Sequence, residues 1–121
     1  MKNILYVLGA VFIIIGLLGF FNNPILGIFQ VDALHNVIHL ASGVLAIIFA
    51  GMGESQARTF ALVLGVVYLL VTILGFISGT GKILGLISNN MADNFLHLVL
   101  AIVFLALGMR KPSGMAASSG M

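Results

Sequence analysis

The sequence has no cysteine, no tryptophan and only two prolines, and it holds just five basic and three acidic side chains in 121 residues. Each shortage excludes something. Without cysteine there are no disulfides, no thiolate metal sites and no thiol nucleophile, and the redox compartment stays unmarked. Without tryptophan, an interfacial aromatic belt has to draw on Tyr6, Tyr68 and the nine phenylalanines. Charged residues make up 7% of the chain, against about 25% in a soluble domain. So few cannot cover a water-facing surface. A bilayer lifts that requirement, because side chains that face lipid can be apolar. The basic residues Lys2, Arg58, Lys82, Arg110 and Lys111 are scattered and form no patch for nucleic acid. No Ser/His/Asp arrangement, phosphate-cradling glycine loop or pair of buried carboxylates is readable, so no enzyme is expected. The expected helices are unbroken and carry few charges, which also speaks against a secondary transporter.

What is abundant is apolar sequence, 61% of the chain. It falls into four stretches of 18 or 19 residues: Ile4–Phe21, Ala33–Gly51, Phe60–Ile77 and Met91–Met109. At 1.5 Å per residue each spans about 27–29 Å, close to the hydrocarbon thickness of a membrane. The first is too long for the apolar region of a signal peptide. Phe20-Phe21-Asn22-Asn23-Pro24 follows it in place of a small-residue cleavage site, so it reads as a retained helix. Asn22-Asn23-Pro24, Gly51-Met52-Gly53-Glu54-Ser55 and Ser78-Gly79-Thr80-Gly81 are breaks, and Asp32 and Asn90 are natural N-caps. Residues 1–111 form the expected four-helix domain, followed by a polar tail, 112–121, that reads as disordered.

The chain repeats itself. Leu8-Gly9-Ala10-Val11-Phe12 matches Leu64-Gly65-Val66-Val67-Tyr68, and Leu18-Gly19-Phe20 matches Leu74-Gly75-Phe76, both 56 residues apart. Ile25-Leu26-Gly27-Ile28 matches Ile83-Leu84-Gly85-Leu86, and Asn36-Val37-Ile38-His39-Leu40 matches Asn94-Phe95-Leu96-His97-Leu98, both 58 apart. The matches include glycines and polar residues, so the expected fold is an all-α integral membrane bundle of four transmembrane helices. It is built from two parallel tandem helix hairpins, 4–51 and 60–109. Lys2, Arg58, Arg110 and Lys111 fall on one side, and the positive-inside rule puts that side and both termini in the cytoplasm. Loops 22–32 and 78–90 then face outward. Their apolar pieces, Ile25–Phe29 and Ile83–Ile87, are expected as short helical turns on the interface.

Chemistry concentrates in the twice-present Asn-x-x-His-Leu element. Asn36 and His39, like Asn94 and His97, share one helix face. That face continues through Gly43, Ala46 and Ala50 on one helix and through Ala101 and Leu105 or Gly108 on the other, small residues that suit close packing. His39 lies about 10 Å below the cap, a depth at which an ionisable group invites a functional reading. Three readings stand open. The Asn and His side chains bridge helices by hydrogen bonds. His39 and His97 ligate a haem or chlorophyll-type pigment, with Asn36 and Asn94 supporting them. Or His35, His39, Asp93 and His97, with i, i+4 spacing within each helix, hold a metal ion such as zinc or iron. Among the rest, Glu54 and Arg58 suggest a solvated i, i+4 pair, and Ser42 and Thr72 are expected to bond to their own helix backbones.

Leu18-Gly19-Phe20, Ile25-Leu26-Gly27-Ile28 and Asn36-x-x-His39-Leu40, each with its second copy, resemble a bacterial family of small four-helix membrane proteins classed as a domain of unknown function. The resemblance covers roughly residues 5–109 and implies the fold and a bacterial plasma or internal membrane, but no activity. The expected role is an accessory or structural subunit that meets lipid and other membrane subunits, or its own copies. Tetrapyrrole or metal binding and a small homo-oligomeric channel are the alternatives.

Overall fold

The computed structural model describes residues 2–78 and 81–110. The turn residues at 79 and 80 and the expected tail, 112–121, lie outside the described residues. Four helices, each long and apolar enough to cross a membrane, account for most of the fold: α1 (Lys2–Gly19), α2 (Ala33–Met52), α3 (Glu54–Ser78) and α4 (Met91–Met109). The chain is an all-α integral membrane protein. Strands β1 (Gly81–Ile83) and β2 (Ile87–Asn89) form an antiparallel hairpin between α3 and α4.

Local chemistry sets the helix boundaries. Asp32 caps α2 by accepting the His35 N–H, and Asn90 caps α4 in a reciprocal box with Asp93. Helix α1 begins at Lys2 rather than Ile4, α2 ends at Met52 rather than Gly51 and α3 ends at Ser78 rather than Ile77. Two further boundaries differ for chemical reasons. Helix α1 stops at Gly19 rather than Phe21, its last turn tightening through Phe20 N–H to the Leu17 carbonyl and Phe21 N–H to the Leu18 carbonyl. Helix α3 starts at Glu54 rather than Phe60, because Glu54, Gln56, Ala57 and Arg58 are good helix formers. A reading that follows apolar residues alone misses a polar first turn. Gly53, at φ 126°, is the whole connection between α2 and α3.

The two apolar loop pieces are hairpin turns rather than helical turns. Ile25 and Phe29 form a bridge, and Ile83 pairs with Ile87. In each, a Leu-Gly step takes positive φ: Leu26 at 54° and Gly27 at 73°, Leu84 at 52° and Gly85 at 72°. Positive φ at two successive residues reverses the chain tightly. Ile25 and Ile83 point inward, each 3% exposed, while Leu26 and Leu84 stand out.

Helix α1 packs along α2 and α3 along α4, and the two pairs meet mainly through α2 and α3. The contact inside each pair is close. A Cβ on Gly43 would lie 2.6 Å from the Gly9 carbonyl oxygen, so only glycine lets α1 and α2 approach this far. The core gathers Leu5, Phe12, Phe60, Leu64, Tyr68 and Phe104 around small residues such as Ala46, Ala57 and Ala101. The opposite faces, with Val7, Ile14, Val66, Leu70 and Ile102, are exposed and apolar, as lipid contact requires. At one end the Lys2 N–H donates to Glu54 Oε1 at 3.2 Å. At the other, here called the loop end, the two loop hairpins sit together.

Candidate metal centre

The first turns of α2 and α4 carry the polar residues that the sequence singles out. Asp32 starts α2 and does two things. Its Oδ1 accepts the His35 N–H at 2.9 Å, and its Oδ2 accepts the Ser88 N–H at 3.0 Å. Burial works to raise the Asp32 carboxyl. The backbone N–H groups of His35 and Ser88, with the charge of Lys82, outweigh that effect and hold it below its ordinary 3.8. Strand β2 is thereby clamped across the start of α2. The clamp closes a second time through His35, whose Nδ1 lies 2.7 Å from the Ser88 carbonyl oxygen. A carbonyl can only accept, so Nδ1 carries the proton and Nε2 is left with a free lone pair. Asn90 adds a third tie by donating from Nδ2 to the Ile28 carbonyl at 2.8 Å.

One turn deeper, three imidazoles converge. His35 and His39 from α2 and His97 from α4 are each 2–3% exposed. Each offers a ring nitrogen within 4.8 Å of the others. Ring centroids are 4.9 Å apart for His35 and His39, 5.4 Å for His35 and His97, and 6.1 Å for His39 and His97. Nδ1 of His39 and Nδ1 of His97 are buried with no hydrogen-bond partner among the described residues. An orphaned buried polar atom costs about 1–3 kcal/mol, which a ligand there would offset. Beneath the cluster lies an aromatic layer. Phe12 meets His39 edge-on at 5.3 Å, and Phe12, Tyr68 and Phe104 pack against one another at 5.7–6.3 Å. Two cavities flank the rings. One of about 120 Å³ is bounded by His35, His39, Asp93 and apolar residues such as Ile15, Val31 and Leu96. One of about 50 Å³ lies by His97, Tyr68 and Ser42.

The other candidate residues separate from this cluster. Asp93 borders the larger cavity but is not in the converging group. Its Oδ2 accepts the Asn90 N–H at 2.9 Å, and its own N–H is held by Asn90 Oδ1 at 2.9 Å. The asparagines face the preceding helix instead of the imidazoles. A Cβ on Gly19 would collide with Asn36 Oδ1, and one on Gly75 with Asn94 Oδ1. Asn94 Oδ1 accepts from Asn89 Nδ2 at 2.6 Å. Asn36 and Asn94 therefore pack closely against Gly19 and Gly75 of the preceding helices. The His39 and His97 ring centroids lie 6.1 Å apart with the His35 ring against both.

Sequence reasoning did not foresee Ser88, which sat in a loop with no distinguishing signal. Nor did it foresee that the Ser42 hydroxyl pairs with the Tyr68 hydroxyl at 3.2 Å, instead of bonding to its own backbone. Thr72 does bond to its own helix, at the Tyr68 carbonyl, 2.8 Å away.

Comparison with known families gives a match over nearly the whole chain. The model of a family described as a domain of unknown function, DUF4383, covers residues 2–110. No curated protein and no solved structure matches the chain.

Proposed function

The chain belongs to the DUF4383 family, and we propose that it is a small integral membrane protein that holds one transition-metal ion between His35, His39 and His97. The observation that carries this is the convergence of three buried imidazoles within 4.8 Å, two with orphaned nitrogens. The third ring is oriented by the Ser88 carbonyl. Metal-bound histidines characteristically donate their second ring N–H to a carbonyl or carboxylate, as His35 does here. An ion with nitrogen ligands at about 2.0 Å would set them roughly 3.3–3.5 Å apart, so closure asks the rings to move by about 1 Å. Imidazole suits zinc, copper, iron and nickel.

The same reading puts the loop end outside the cytoplasm, with Lys2, Arg58 and Arg110 on the inner side. It treats the matched caps, Leu-Gly turns and Gly–Asn contacts of the two halves as the signature of tandem hairpin copies. Metal analysis of the full chain, purified in mild detergent and desalted, tests the proposal. One ion per chain is expected, with less than a tenth as much in His97→Gln. A metal-free wild type that also takes up none on titration would sink it.

A role as an accessory subunit draws on the apolar exterior. Lipid alone accounts for that surface, and stoichiometric partners in the same preparation would be its distinguishing mark. A channel would reveal itself by ion flux in liposomes.

A further inference from the structure

Resting on the three-histidine reading, we infer that the ion is monovalent copper, held trigonally by His35, His39 and His97. The inference comes from what the site does not supply. All three donors are neutral, so the ion keeps its full charge inside a buried, apolar cluster. The cost of burying an ion grows with the square of its charge, so a divalent ion costs about four times as much as a monovalent one of similar size. A divalent centre normally recovers that cost with carboxylate or thiolate ligands, or by ionising a bound water. The chain has no cysteine.

Among the described residues no carboxylate oxygen joins the three rings: the group of ligand atoms within 4.8 Å of one another holds His35, His39 and His97 alone. Asp93 Oδ2 is held by the Asn90 N–H at 2.9 Å. The Tyr68 hydroxyl pairs with Ser42. The two Asp32 oxygens are spent on His35 and Ser88. Three nitrogens from rings that already touch make a complete shell for a closed-shell monovalent ion. Zinc would need a fourth ligand. Phe12 standing edge-on to His39, with Tyr68 and His97 ring centroids 5.6 Å apart, adds aromatic surface of low polarity, where a lower ionic charge costs less to bury.

The experiment uses the full chain in mild detergent without oxygen. Cu(I) is titrated against a chromophoric Cu(I) chelator. Zn(II) is titrated against its own indicator, and Co(II) is followed by its visible bands. Expected are one Cu(I) per chain, bound at least 100-fold more tightly than Zn(II), and a loss of at least 100-fold in His35→Gln and in His39→Gln. The wild-type competition decides the matter even if a variant fails to fold. Zn(II) or Co(II) bound as tightly as Cu(I), and weakened by Asp93→Asn, would overturn the monovalent assignment and leave the three-histidine site standing with Asp93 as a fourth donor. A wild type that binds no ion of either charge would remove the site itself.

Discussion

Asp32 is the side chain on which the two halves of the loop end depend, and Asp32→Ala measures that dependence. The substitution removes the α2 cap, worth about 1 kcal/mol. It also leaves the Ser88 N–H, now bonded at 3.0 Å, without an acceptor, at about 1–3 kcal/mol. Together the loss is roughly 2–4 kcal/mol, or roughly 10–20 °C for a chain of this size. Asp32→Asn keeps one acceptor for the His35 N–H but turns an N–H₂ toward the Ser88 N–H, so it should fall between wild type and alanine. Heating aliquots of detergent-purified protein and measuring the monodisperse fraction by size exclusion gives the midpoint. The carboxyl also makes a pH signature. Its folded value lies below 3.8, so its contribution is complete above the unfolded value and disappears as pH falls through the folded one. The gap between wild type and Asp32→Asn should thus stay constant down to pH 3.8 and close below it. Freeing Ser88 also loosens the carbonyl that orients His35, which should weaken ion binding about 10- to 100-fold. An Asp32→Ala protein that melts within a degree or two of wild type would refute the clamp.

Other substitutions probe the packing. Gly75→Ala should cost about 1–3 kcal/mol, because its Cβ meets Asn94 Oδ1. The double variant Gly75→Ala/Asn94→Ala should lose less than the sum of the two single changes in the same heating assay, and strict additivity would contradict the contact. Leu84→Gly should raise stability by about 1 kcal/mol, since it relieves a left-handed leucine that is 68% exposed; a lower midpoint would show that the leucine side chain holds something in place. Tyr68→Phe should cost about 1 kcal/mol through loss of the Ser42 partner, and no change in midpoint would show that this hydroxyl pair adds nothing.

The sequence made the helices legible because membrane spans need an apolar run of fixed length, and all four runs are present. It made the caps legible because Asp32 and Asn90 precede those runs directly. The polar first turn of α3 was hidden, since helix propensity without hydrophobicity leaves no mark on such a reading. The two Leu-Gly turns were misread because leucine rarely adopts positive φ, and nothing local announces that it does so here. Of the centre, His35, His39 and His97 were visible through their spacing. Their convergence was not, because it depends on how α2 approaches α4. Asp93 looked like a fourth ligand by spacing alone; its reciprocal box with Asn90 engages it, and that competition depends on side-chain rotamers that spacing does not encode.

The packed layer of Phe12, Tyr68 and Phe104 makes the centre one-sided. On the proposed three-histidine site, an ion arriving from the loop end would travel only as far as the histidines, about a third of the way through the hydrocarbon, and meet the aromatic layer of Phe12, Tyr68 and Phe104. A full crossing moves a unit charge through about 2.3 kcal/mol per 100 mV. A journey of a third of the thickness is worth about 0.8 kcal/mol per 100 mV, a factor of about four in occupancy. If the proposed site holds, its loading would follow the ion's concentration in a single compartment and depend only weakly on the voltage across the membrane.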